Sequence, residues 1–162
     1  MKSNHFYFIS PKYFTDFPVS TIMGNHPSVS GQPHNRPCYF AFTNDGVIFW
    51  VIPISSKVPK FKKIYSDKVK KYGKCDTTEF SFVLGHEKAF LIQNMCPVTS
   101  EYILNEYLDI QGNSVNIDNR DAKRIITKAK KILELQKKGY PLIFGDVLSI
   151  EKKLSEKEKL NV

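Results

Sequence analysis

Apolar and polar positions alternate along the chain in two different rhythms, and the change of rhythm separates strands from helices. Residues 5–9 (HFYFI) form an aromatic run that predicts a first strand, because aromatic and β-branched side chains suit a pleated, half-buried surface. Ser10-Pro11 follows, a capping hydroxyl ahead of a proline whose missing N–H costs nothing at a first helical position, so a short helix to about Phe17 is expected. Residues 37–43 and 47–54 are nearly continuous apolar runs joined by Asn44-Asp45-Gly46. They predict a hairpin at the centre of a sheet. Residues 79–84 and 88–93 flank Gly85-His86-Glu87 as a second hairpin, and residues 95–99 extend the sheet.

Elsewhere the period lengthens. Phe61, Ile64, Tyr65, Val69 and Tyr72 recur near helical spacing with lysines between them, which predicts an amphipathic, basic helix over 58–72. Ala122, Ile125, Ile126, Ala129, Ile132, Leu133 and Gln136 line one face of a long basic helix, capped by Asp118 or Asn119 and stopped by Gly139 and Pro141. Residues 102–117 suit either form: Gly112-Asn113 signals a turn, while Ile103, Leu104 and Tyr107 fit a helix. A last short helix is expected over 145–154 and a charged tail over 155–162. Residues 18–35 are dense in Pro, Gly, Ser, Asn and His, a long connection of the kind that often carries function. Hairpins followed by helices predict an α+β fold, a twisted antiparallel sheet curled into a half-open barrel with helices on one side. A single domain spanning 1–162 is expected, since 162 residues at 41% hydrophobic content bury one substantial core.

Charge narrows the partner. Lys and Arg number 24 against 16 Asp and Glu, for a formal charge of +8, and the excess is concentrated. Residues 57–74 hold eight lysines against Asp67, and residues 120–138 hold eight basic residues against Asp121 and Glu134. Either run suits a solvated helix face, but concentrated basicity also binds phosphates through counterion release. Cys38, Cys75 and Cys96 are odd in number, with no CxxC, so reduced thiols and a cytoplasmic location are expected. The opening MKSNHFYFISPK lacks a signal-peptide pattern. The longest apolar run, 47–54, contains Pro53 and is too short to span a bilayer, so no membrane is expected.

Chemistry narrows it further. A metal-dependent nuclease needs carboxylates converging from strands, and here Glu79 sits at a strand edge while Asp45 and Glu87 sit in turns. His5, His26, His34 and His86 lack close metal-ligand spacing, and neither GxSxG nor GxxxxGK[ST] is present. No metal and no cofactor is expected. The stretch VIPISSK ends an apolar run on Ser55, Ser56 and Lys57. Such an ending is commonly a solvated strand end or a helix cap. It is also a set of donors suited to a phosphate that gathers charge as it becomes pentacoordinate. Arg36 precedes the strand whose antiparallel partner ends at Ser55, so pairing brings the two to one end of the sheet. RNA carries its own nucleophile, the 2′-OH, and needs from a protein only a base, an acid and an oxyanion clamp. His34, in the polar loop, is either an acid or base or a solvated side chain. The candidate catalytic set is Ser55, Ser56, Lys57, Arg36 and His34. The candidate RNA contacts are Lys12, Lys60, Lys62, Lys63, His86, Lys123, Arg124, Lys130 and Lys131. A noncatalytic RNA-binding module using the same basic helices is the alternative.

The ordered segments FYFISPKYF, NRPCYFAF, VIFWVIPISSK and EKAFLIQNMCPVT resemble the toxins of type III toxin-antitoxin systems, the ToxN and AbiQ endoribonucleases, and most closely their CptN branch. SGQPHNRPCYFAF is also similar to a MazF-type segment in which Gly-Gln precedes Arg-Pro and a strand. The resemblance implies a MazF/Kid-like barrel with added helices. It implies metal-independent cleavage of cellular or phage RNA to a 2′,3′-cyclic phosphate and a 5′-hydroxyl. It also implies an RNA antitoxin, a small structured repeat RNA in pseudoknot form, processed by the toxin and held with it in a closed hetero-oligomer. A MazF-like toxin with a protein antitoxin is the neighbouring possibility. By the resemblance Ser55 stands for a family threonine, Ser56 for its serine and Arg36 for a lysine before the hairpin. The family lysine after the hydroxyl pair falls on Val58, leaving Lys57 and then Lys60 as substitutes. A family loop tyrosine falls near Gln32, with His34 as the residue able to take its place.

Overall fold

The computed structural model describes residues 1–18 and 36–162, and the backbone of residues 26–27 and 33–34. The chain runs β1 (Phe6–Ile9), α1 (Pro11–Asp16), β2 (His26–Pro27), β3 (Pro33–His34), β4 (Pro37–Thr43), β5 (Phe49–Ser55), α2 (Val58–Tyr72), β6 (Glu79–Val83), β7 (His86–Phe90), β8 (Cys96–Val98), β9 (Ile103–Glu106), α3 (Asn119–Lys137) and α4 (Val147–Leu160). Seven strands form one antiparallel sheet in the order β6-β7-β5-β4-β1-β9, with β8 also paired to β5. Among the described residues β6 and β9 do not pair with each other, so the sheet stays an open, incomplete barrel, as the sequence predicts.

The opening is set by β5. Its first half, Phe49 to Val51, pairs β8, and its last residues, Ile54 and Ser55, pair β7. Pro53 stands at the change of partner. Proline has no N–H to give a ladder, and its carbonyl accepts from the Leu91 N–H at 3.0 Å. The two flanks of the sheet therefore diverge from one central strand, and Ser55 is carried to its rim.

Local chemistry adjusts both hairpins. The first turn is longer than Asn44-Asp45-Gly46 alone, since Thr43 pairs with Phe49. Asp45 Oδ1 accepts the N–H groups of Val47 and Ile48 at 2.9 and 2.8 Å. Burial pulls the Asp45 pKa upward, but these donors outweigh it and hold it below its ordinary value. The second hairpin is tighter than expected. Leu84 and Gly85 both have positive φ, 51° and 79°, the pattern of a two-residue hairpin turn, and Val83 pairs directly with His86. His86 thus opens strand β7 rather than sitting in the turn.

Within the ambiguous stretch 102–117, Ile103–Glu106 forms strand β9. β9 pairs β1, and Asp109 closes the following turn by accepting from Gln111 and Asn113. Asp118 caps α3, accepting from the Arg120 and Asp121 N–H groups, and α3 buries Ala122, Ile125, Ala129, Ile132 and Leu133. Past its end, Gln136 Oε1 accepts from Leu142 and Ile143. α4 corrects the expected charged tail: the helix continues to Leu160. Val147, Ile150 and Leu154 keep one face buried, and Lys157 bonds Glu101 at 2.7 Å, so the 155–162 charges extend a docked helix. Trp50, Tyr13, Tyr39, Tyr102, Phe6 and Phe90 fill the core. All three cysteines are free and buried. Among the described residues no helix is long and apolar enough to cross a membrane.

Several carboxylates are anchored in ways that predict acid sensitivity. Ser81 donates to Asp121 at 2.6 Å and Arg124 at 2.9 Å, and together they hold its pKa below the ordinary value. His5 does the same for Glu106. A carboxyl whose pKa is lower folded than unfolded contributes stability above its unfolded value, about 4, and loses that contribution as pH falls through the folded value. The urea midpoint is therefore expected to drop below about pH 4, and Asp121→Asn to flatten part of that drop.

Candidate active site

Cys38 pairs with Pro53 in the β4–β5 ladder, which places the residue before β4 beside the residues that end β5. Arg36, Ser55, Ser56 and Lys57 accordingly line one cleft of about 640 Å³, together with Lys60, His86 and Lys88. Phe61, Val83, Leu84 and Tyr107 form its apolar walls. Arg36, Lys57, Lys60 and Lys88 are its basic residues, and none of the described lining residues is a carboxylate. Cations of one sign between low-dielectric walls focus a positive potential. Anions are the complementary occupants.

The two serines differ. Ser55 is 8% exposed, and its Oγ accepts the Lys57 N–H at 3.2 Å, so it shapes the turn out of β5. Ser56 is exposed, and its Oγ accepts from Lys88 Nζ at 2.7 Å. The helix-cap reading of this stretch is not what forms: Lys57 is the N-cap of α2 and makes no side-chain cap bond. With Pro59 in the first turn and no acidic residue there, α2 begins at the cleft with backbone N–H groups open to an anion.

The other candidates divide. Lys60 and His86 line the cleft. Lys57 and Lys60 both line the cleft, on either side of Val58. The side chain of His34 lies outside the described residues, as does Gln32. Lys12 is not at the cleft; it bonds Asp16 at 2.6 Å and Glu101 at 3.2 Å, which raise its pKa. Lys62 reaches Glu87 at 3.4 Å and lies 4.5 Å over the Phe80 ring. Lys131 bonds Asp76 at 2.7 Å, and Lys130 covers the Phe42 ring at 5.6 Å. Lys63 and Lys123 are exposed. Arg124 meets Glu79 at 3.2 Å and Asp121 at 2.9 Å. The basic face of α3 is thus spent in large part on the sheet rather than offered whole to a ligand.

Lys88 and Tyr107 were not singled out from sequence. The signal for Lys88 was the strand period: His86 and Lys88, two apart, share a face of β7, and Ser55 pairing with Ala89 puts Lys88 across from Ser56. Reading His86 as a turn residue hid that register. Tyr107 follows β9 and meets the Phe6 and Phe8 rings edge-on at 6.5 and 5.6 Å. Its sequence stretch suits helix or strand alike, and only the β9 pairing with β1 brings it to the cleft.

Such a site can bind a phosphodiester by hydroxyl, ammonium and guanidinium donors and can stabilise added charge on it. No protein-family model matches the chain, and no curated protein matches it by sequence. Among solved structures it is similar to AbiQ, described as a lactococcal anti-phage endoribonuclease belonging to the type-III toxin-antitoxin system. The TM-score is 0.63 at 16% sequence identity, over 98% of this chain and 99% of that one. The two chains share a fold along their whole length.

Proposed function

Proceeding from a fold shared with an anti-phage endoribonuclease, we propose that this chain is itself an endoribonuclease toxin of the type III class, on the CptN branch that its ordered segments resemble. The observation that carries the reading is the cleft: two serines and four cations at one sheet end, with no carboxylate in its described lining. That donor set suits a phosphate, and RNA brings the nucleophile.

In this mechanism Arg36, with Lys57 or Lys60, holds the scissile phosphate against the rim of the sheet. The 2′-oxygen attacks phosphorus, the bond to O5′ breaks, and the products are a 2′,3′-cyclic phosphate and a 5′-hydroxyl. The Ser56 hydroxyl and the cations stabilise the phosphorane oxygens, which carry more charge than in the ground state. The attacking oxygen must lose a proton and O5′ must gain one. His86 is the cleft-lining imidazole able to move one, and His34 is the second candidate by sequence. The protein requires no metal and acts in the cytoplasm on cellular or phage RNA. Its activity is held off by a structured repeat RNA that it processes and that binds it in a closed assembly.

Purified protein incubated with RNA in EDTA is expected to release fragments ending in cyclic phosphate. Salt-sensitive binding with no cleavage would instead identify an RNA-binding module, and cleavage abolished by chelation and restored by Mg²⁺ would identify a metal nuclease.

A further inference from the structure

We propose that Lys88 is the positioning residue of the cleft: its ammonium fixes the Ser56 hydroxyl as a hydrogen-bond donor toward the scissile phosphate. The inference rests on the reading of the cleft as a phosphodiester site. An ammonium can only donate, and Lys88 Nζ lies 2.7 Å from Ser56 Oγ. One lone pair of that oxygen is therefore occupied from the β7 side, and the hydroxyl proton is directed elsewhere. Both side chains line the same cleft, so the open direction is the one a phosphate oxygen would take. A hydroxyl without this partner rotates freely among donor and acceptor roles.

The arrangement is built into the sheet. Ile54 pairs with Phe90 and Ser55 with Ala89, so continuing the register sets Ser56 opposite Lys88. The two-residue turn at Leu84-Gly85 fixes that register from the other side, through Val83 against His86. Among the described residues no carboxylate pairs with Lys88, unlike Lys62, Lys128 and Lys157. Its hydrogen bond goes to the serine. Lys88 thus acts on the phosphate through the Ser56 hydroxyl that it holds.

The test is a double-mutant cycle with full-length protein and a defined oligoribonucleotide that the protein cleaves. Lys88→Met and Ser56→Ala are each expected to lower kcat about 10²-fold with little change in KM. The double variant is expected to be within about threefold of the worse single one, because coupled residues are non-additive. Lys88→Arg is expected to regain part of the rate, and thermal melts establish that each variant is folded; Lys88→Gln serves if Lys88→Met is not. Independent losses that multiply, or a Lys88→Met effect confined to KM and salt dependence, would overturn the positioning role. Ser56→Ala inactive with Lys88→Met fully active would also overturn it, while leaving the cleft reading intact. Ser56→Ala and Lys57→Ala both fully active would overturn the cleft reading with it.

Discussion

Ser56→Ala is expected to slow RNA cleavage by about 10²-fold at saturating substrate, as for loss of one preorganised oxyanion donor, without measurable loss of stability. Ser56 is exposed, and its partner Lys88 regains water when the hydroxyl is removed, so the fold has little to lose. Ser55 provides the contrast. It is buried at 8% exposure and its Oγ holds the Lys57 N–H at 3.2 Å, so Ser55→Ala is expected to cost about 1 kcal/mol of stability and to disturb cleavage indirectly, through the path of the chain into α2. Single-turnover cleavage and thermal melts on both variants separate the two roles. Equal rates for Ser56→Ala and the parent would remove Ser56 from the chemistry.

The second large effect belongs to stability. Glu79→Ala is expected to destabilise the protein by about 3 kcal/mol, a fall of roughly 6–12 °C in Tm at this size. Glu79 is 6% exposed and ties β6 to α3 through Lys128 at 2.5 Å and Arg124 Nε at 3.2 Å. Removing the carboxylate leaves Lys128, itself only 19% exposed, with its charge uncompensated against the sheet. That is costlier than losing a surface ion pair, which is worth about 1 kcal/mol or less. The same geometry alters the role of Arg124: Arg124→Ala is expected to lower Tm before it weakens RNA binding. A Tm unchanged in Glu79→Ala would return the α3 cations to the ligand.

Where one physical rule decided an element, the sequence was a good guide. The Ser10-Pro11 start of α1, the 58–72 helix and the capped face of α3 follow from spacing and capping, and each forms as the pattern implies. The juxtaposition of Arg36 with the serines followed from antiparallel pairing alone. What sequence could not supply was register. A turn of two residues and a turn of three look alike in GHE, and only the positive φ of Leu84, which few side chains favour, shows which one closes. That single shift moved His86 onto a strand and brought Lys88 to Ser56. Charge runs misled for a related reason. Eight basic residues in 120–138 give no sign of which ones face acids on another element, and Arg124, Lys128 and Lys131 all do. The last charges read as a tail because the apolar spacing stops at Leu154, whereas the helix runs on to Leu160 with Lys157 bonded to Glu101.

Whether the cleft holds the scissile phosphate is tested most directly by a crystal structure with an oligoribonucleotide carrying a 2′-deoxy substitution at the scissile nucleotide, which removes the nucleophile and preserves the complex. This RNA is expected to be bound and uncut, with the scissile phosphate in the cleft between Arg36, Ser56 and Lys57 and one of its oxygens within hydrogen-bonding distance of Ser56 Oγ. An RNA seated elsewhere with no phosphate in that cleft, or one cleaved at the deoxy position, would contradict it.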